Sequence, residues 1–220
     1  MVRVKICGIT NIGDARAACE AGADSLGFNF YEESPRHVSV SEAAKIHAEL
    51  PKKVEAVGVF VNLPIEEVAA TAAAVRLDFA QLHGDESART VADLSRKIPV
   101  IKAFRVDPDF GIETFDVFDK ASAFLLDASQ AGQYGGTGRT IDWALARRAA
   151  VSHRIILAGG LKPENVAAAI RIVRPYAVDV ASGVESRPGK KDHARLREFI
   201  AEVRRAEKQL GAIAEKSNVL

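Results

Sequence analysis

Short apolar runs of four to eight residues recur along the chain. They alternate with longer segments whose apolar positions return at three- and four-residue spacing, and polar or glycine-bearing connections separate the two. The first run sets β-branched Val2, Val4 and Ile6 against Arg3, Lys5 and Cys7 and stops at Gly8, a residue free to turn where a Cβ would clash. It reads as a strand with Lys5 and Cys7 on one face, aliphatics on the other, and Cys7 at its carboxyl end. A helix follows, with Thr10 or Asn11 as cap, Asp14 in its first turn, four alanines in its body and Gly22 as its stop. Further strands are expected at 25–28, 54–61, 79–83, 100–104, 123–127, 155–158 and 177–181. Helices are expected at 41–50, 65–75, 86–96, weakly at 111–119, from near Asp142, and at 163–173 and 192–209.

Eight strand–helix units in 220 residues come to roughly one every 27, close to the minimum for a parallel strand and its crossover helix. The short, apolar strands fit a sheet covered on both faces. The pattern therefore predicts an α/β fold, a single (β/α)8 TIM barrel over residues 1–207, with a doubly wound open sheet as the competing arrangement. A small polar tail, 208–220, is expected to fray.

Charge changes this picture little. Lys and Arg number 30 against 29 Asp and Glu, so there is no global field to draw in nucleic acid or a membrane surface, and an anionic ligand must be caught locally. No run is apolar over about 18 residues, and the amino terminus enters a strand without a cationic, apolar leader. The two cysteines lie twelve positions apart and form no disulfide framework, which fits a cytoplasmic location. The expected partner is a small phosphorylated molecule, bound by a monomer or homodimer.

In this architecture chemistry collects at the carboxyl ends of the strands. Those ends carry Cys7, Gln81, His83, Asp127 and Asp179, and the loop after the second strand adds Arg36. Singly, each has an ordinary alternative: a small buried thiol, a satisfied histidine, a turn-capping aspartate, a solvated arginine. Together on one rim they point to a site. Gly159-Gly160 and Ser182-Gly183 follow the seventh and eighth strands directly, the usual phosphate grip of such barrels, where backbone N–H groups can approach an anion. Gly135-Gly136-Thr137-Gly138 matches no nucleotide fingerprint and reads as a shaping loop or lid. The five histidines are scattered and no metal-ligand spacing occurs, so a metal-free acid–base mechanism is expected.

Six motifs in this order resemble phosphoribosylanthranilate isomerases. They are Lys5-Ile6-Cys7-Gly8-Ile9-Thr10, Ser34-Pro35-Arg36, the stretch from Gln81 to Glu86, Gly135-Gly136-Thr137-Gly138, the stretch from Ala158 to Asn165, and the stretch from Val178 to Glu185, where Ala181 replaces an expected serine. The resemblance spans residues 2 to about 200. It implies an Amadori rearrangement of N-(5-phosphoribosyl)anthranilate in tryptophan biosynthesis, with no cofactor. It further implies Asp127 as general acid, Cys7 as general base, Arg36 on the anthranilate carboxylate, and Gly160 with Ser182-Gly183 on the phosphate. Lys5, Gln81, His83, Gly159 and Asp179 complete the expected substrate-binding set. An analogous isomerase of histidine biosynthesis would be expected to carry aspartate at position 7, and a silent metabolite-binding barrel would lack the acid or the base. A thiol with pKa near 8.5 needs help to act as a base, and Lys5 is expected to supply it. Asp127, in turn, is expected to need a raised pKa to hold its proton.

Overall fold

The computed structural model describes residues 1–106, 110–128 and 142–217. Eight parallel strands pair in sequence order: β1 (Arg3–Cys7), β2 (Ser25–Asn29), β3 (Glu55–Phe60), β4 (Phe79–Leu82), β5 (Val100–Val106), β6 (Ala123–Ala128), β7 (Ile155–Leu157) and β8 (Ala177–Val180). The eighth pairs back on the first, with Lys5 opposite Asp179, so the sheet closes as a barrel rather than lying open.

The helices outside are α1 (Ile12–Ala21), α2 (Val40–Ala48), α3 (Ile65–Val75), α4 (Ala88–Ser95), α5 (Thr114–Val117), α6 (Trp143–Ala149), α7 (Pro163–Val173) and α8 (His193–Ser217). Their starts follow local chemistry. The side chains of Asn11, Ser39, Ser87 and Asp142 each accept a backbone N–H from the first turn of the helix they precede. Gly22 ends α1 in the left-handed conformation, φ 98°.

Alternation along the strands sorts side chains into two cores. Val4, Ile6, Leu26, Phe28 and Phe60 face outward into the main apolar layer beneath the helices. Val57, Ile101, Ala103, Ala123, Leu125, Ile156, Ala158 and Ala177 form a second, interior cluster packed with Phe79. Continuing the same parity toward the carboxyl ends brings Lys5, Cys7, Gln81, Asp127 and Asp179 inward. The barrel is thus floored with aliphatics and topped with polar groups, and the interior packing fixes where those groups stand.

Three features differ from the sequence-based expectation. The weak fifth helix shrinks to the single turn of α5. Between β8 and α8 the chain makes a 3₁₀ turn, Ser182–Val184, and a small antiparallel hairpin, β9 (Glu185–Arg187) with β10 (Lys190–Lys191). Pro188-Gly189 makes its turn, with Gly189 at φ 77°. Helix α8 continues through Ser217, past its expected end at 209 and into the stretch expected to fray. The expected lid, Gly135-Gly136-Thr137-Gly138, lies outside the described residues.

Candidate active site

β1 ends in Cys7, and Gly8 follows at φ 77°. The stem of Arg36 lies across Gly8 so closely that a Cβ there would fall 2.6 Å from its Cδ. The glycine at 8 therefore serves both a backbone turn and the seat of the arginine. On the neighbouring strand Gly27 stands opposite Cys7. A Cβ at 27 would fall 2.7 Å from Cys7 Sγ and 3.2 Å from Lys5 Nζ, so the missing side chain is the space in which thiol and ammonium meet.

Lys5 and Asp179, both expected to contact substrate, are paired with each other: Lys5 Nζ donates to Asp179 Oδ1 at 2.9 Å inside the barrel. Burial works against the Lys5 ammonium, but the facing Asp179 carboxylate and Cys7 thiol outweigh it and hold its pKa above the ordinary value. Cys7 does not follow the simple expectation of a thiol activated by Lys5. Burial pushes its pKa up, Lys5 pulls it down, Asp179 pushes it up again and Lys191 pulls it down, and the balance stays above an ordinary thiol. Lys5 gives the expected help, but burial is the larger effect.

Arg36 is already engaged. Its Nε and Nη2 donate to the two oxygens of Glu185 at 2.9 and 2.8 Å, a bidentate fork. Glu185 also accepts from Lys191 Nζ at 2.9 Å, and Lys191 donates further to the backbone oxygens of Cys7 at 2.6 Å and Ala181 at 3.3 Å. Burial raises the Glu185 carboxyl, but Arg36 and Lys191 outweigh it and hold it below the usual carboxylate range.

From β4, the Nε2 of Gln81 and the Nδ1 of His83 lie 2.9 Å apart, and His83 Nε2 lies 3.6 Å from Asp127 Oδ2. Asp127, at the end of β6, is 5% exposed. The loop that carries His83 is held from beneath. Glu86, buried, accepts the backbone N–H groups of Asn62 and Gly84, and Lys102 of β5 donates to it at 2.8 Å while also reaching the Gly84 carbonyl at 2.7 Å.

Loops seven and eight meet over the barrel. Gly159 and Gly160 both take positive φ, 75° and 63°. Gly183 packs so tightly on the loop after β7 that a Cβ would fall 1.9 Å from the Leu161 carbonyl oxygen. One pocket is lined by Asp127, Gly159, Gly160, Asp179 and Ser182, joining the buried acid to the glycine loops. Cys7 ends β1, the strand paired with β8, and Arg36 lies against the Gly8 that follows it.

Glu185, Lys191 and Lys102 were not singled out from sequence. Glu185 lay inside a quoted motif without a role. Lys102 carried a signal of another kind, since a lysine inside an apolar strand run requires a carboxylate partner, whereas Lys191, in a hairpin of two- and three-residue strands, carried none.

The model of the family described as N-(5′-phosphoribosyl)anthranilate (PRA) isomerase matches residues 4–202. The N-(5′-phosphoribosyl)anthranilate isomerase of Pelobacter propionicus is 52% identical over 200 residues, 91% of this chain and 94% of its own length. That of Trichlorobacter lovleyi is 53% identical over 209 residues, 94% of this chain and all of its own. Among solved structures, the phosphoribosyl anthranilate isomerase of Thermotoga maritima superposes with a TM-score of 0.87 at 44% identity, covering 93% of this chain and 99% of its own. A phosphoribosyl anthranilate isomerase in complex with reduced 1-(o-carboxyphenylamino)-1-deoxyribulose 5-phosphate gives 0.84 at 43% identity, with the same coverage. With the motifs, the closed barrel and these relatives in agreement over nearly its whole length, the chain belongs to the N-(5′-phosphoribosyl)anthranilate isomerase family.

Proposed function

We propose that this protein isomerises N-(5-phosphoribosyl)anthranilate to 1-(2-carboxyphenylamino)-1-deoxyribulose 5-phosphate in tryptophan biosynthesis, by general acid–base catalysis on the barrel domain, residues 1–207. It does so as a cytoplasmic monomer or homodimer. The observation that carries the reading is one pocket lined together by Asp127, Gly159, Gly160 and Ser182, a buried carboxyl beside a double glycine loop.

The substrate phosphate lies against the backbone at 159–160 and 182–183, where the close approach of Gly183 to Leu161 shapes the grip. The anthranilate carboxylate lies on Arg36. Between these two anchors the Asp127 carboxyl gives its proton to the ribose ring oxygen as the bond from that oxygen to C1 breaks, leaving a protonated Schiff base. The Cys7 thiolate removes the proton from C2, and the electron pair of that C–H bond neutralises the imine to give an enolamine. Protonation at C1 and loss of the enol proton complete the ketone. Electrons and atoms balance within the substrate, so the reaction draws on no redox partner. Gln81 and His83 orient Asp127, while Lys5 and Asp179 bias the Cys7 proton.

The test is the loss of anthranilate-type fluorescence when purified protein meets freshly prepared substrate. Wild type should quench it far faster than spontaneous hydrolysis, and Cys7→Ala and Asp127→Asn should each be slower by about a hundred-fold or more. Wild type no faster than the blank would overturn the assignment.

A further inference from the structure

Arg36 belongs to a cluster of two cations and one anion. Arg36 and Lys191 face Glu185, with side chains 15%, 0% and 4% exposed, so their charges act at short range and with little screening from solvent. Glu185 takes one edge of the guanidinium, through Nε and Nη2. Arginine has five N–H donors in a planar fork, so a second edge, Nη1 with the outer hydrogen of Nη2, is left over. Lys191 is fully buried, and its three protons are committed to Glu185 and to the carbonyls of Cys7 and Ala181, the ends of β1 and β8. Its own backbone N–H is fixed on Asp14 Oδ2 at 2.8 Å. Such a lysine is not a substrate contact. Its charge nonetheless sets the balance of the cluster: with it one positive charge is uncompensated, and without it Glu185 neutralises Arg36.

We propose that Lys191 is a positioning residue for carboxylate recognition: by holding Glu185, it leaves the charge of Arg36, on the guanidinium edge that Glu185 does not use, to the carboxylate of the substrate. This rests on the reading of Arg36 as the carboxylate site. Lys191 thereby sets the preference for an aminoaldose whose aryl group bears a carboxylate over one whose aryl group is neutral.

The experiment compares N-(5-phosphoribosyl)anthranilate with the carboxylate-free N-(5-phosphoribosyl)aniline, turnover being followed by chromatography. Because Lys191 also draws Cys7 toward thiolate, Lys191→Met should lower kcat alike on both substrates, while KM rises about 10- to 100-fold for the first and less than about three-fold for the second. Lys191→Met with Glu185→Gln restores one net positive charge and should recover most of the lost KM, which a merely structural lysine would not allow. An equal rise in KM for both substrates, or a double variant whose KM is no better than the single's, would overturn the proposal. Where Lys191→Met does not fold, Glu185→Gln alone carries the test: it should lower KM for the carboxylate substrate relative to the aniline, and a rise would overturn the proposal. Arg36→Met separates the two layers. Preference lost there but kept in Lys191→Met removes this inference alone, and preference kept in Arg36→Met removes the reading beneath it.

Discussion

Cys7 is drawn toward thiolate by Lys5 and Lys191 and toward thiol by burial and by Asp179, with burial the largest of these influences. Because Lys5 is also bound to Asp179, much of its field is answered before it reaches the sulfur. The free-enzyme thiol should therefore titrate above the ordinary value of about 8.5, with thiolate a minority species at neutral pH. Alkylation by iodoacetamide as a function of pH, in a Cys19→Ser background, reads this directly. Lys5→Met should move the Cys7 titration further up and slow alkylation several-fold at pH 7.5, because it removes an attraction and frees the Asp179 carboxylate to repel. An unchanged profile would show that Lys5 does not act on the thiol. At this scale the sequence was legible where parity decides. Lys5 and Cys7 two apart on one strand had to share a face, and they do. It was silent on the size of competing influences, since burial depends on Gly27 and on β8, both remote in the chain.

Among the elements, the turn after β4 shows how a site loop is fixed by a buried pair. Lys102 and Glu86 side chains are each 3% exposed and join at 2.8 Å, and the same ammonium binds the Gly84 carbonyl. Removing one partner of such a pair strands the other charge away from water. Lys102→Met should cost about 3–5 kcal/mol in urea unfolding and shift the His83 loop, lowering activity as well. A loss under about 1 kcal/mol would mean that the pair is held by the surrounding backbone alone. The strand–helix alternation that sequence displays locates β4 and β5 within a residue or two, because each strand is an apolar run bounded by turn residues. It does not display that Lys102 answers Glu86, a pairing created only when neighbouring strands align. The β9–β10 hairpin was hidden for a related reason. Its strands are two and three residues long, too short for periodicity, and only Pro188-Gly189 marks the turn.

For the whole molecule, the closed barrel brings opposite ends of the chain together, and acid sensitivity follows from where it does so. Asp14 in α1 accepts from Asn11, from the Lys191 backbone and from His193 Nε2 at 2.8–2.9 Å, tying the start of the chain to the start of α8. Burial raises its pKa, but those hydrogen bonds outweigh it and hold it below the usual value, as Arg36 and Lys191 do for Glu185. A carboxyl whose folded pKa is depressed stabilises the fold fully above its unfolded value, about 4, and loses that contribution as pH falls through it toward the folded value. The urea midpoint should drop between pH 6 and pH 3, and Asp14→Asn should drop less over the same interval. Parallel falls would remove Asp14 from the account. The fold class and the rim of candidate residues were legible because a parallel barrel places every strand end on one face. The ties across that rim were not, since they join residues as far apart as Asp14 and His193.

The central claim is that Cys7 and Asp127 act on the transition state rather than merely hold the substrate. The most direct measurement sets turnover of N-(5-phosphoribosyl)anthranilate beside affinity for reduced 1-(o-carboxyphenylamino)-1-deoxyribulose 5-phosphate in wild type, Cys7→Ala and Asp127→Asn. The account predicts that kcat falls about a hundred-fold or more in each variant while Kd for the reduced product stays within about ten-fold. Turnover that survives either substitution, or a Kd that rises in step with the loss of kcat, would contradict it.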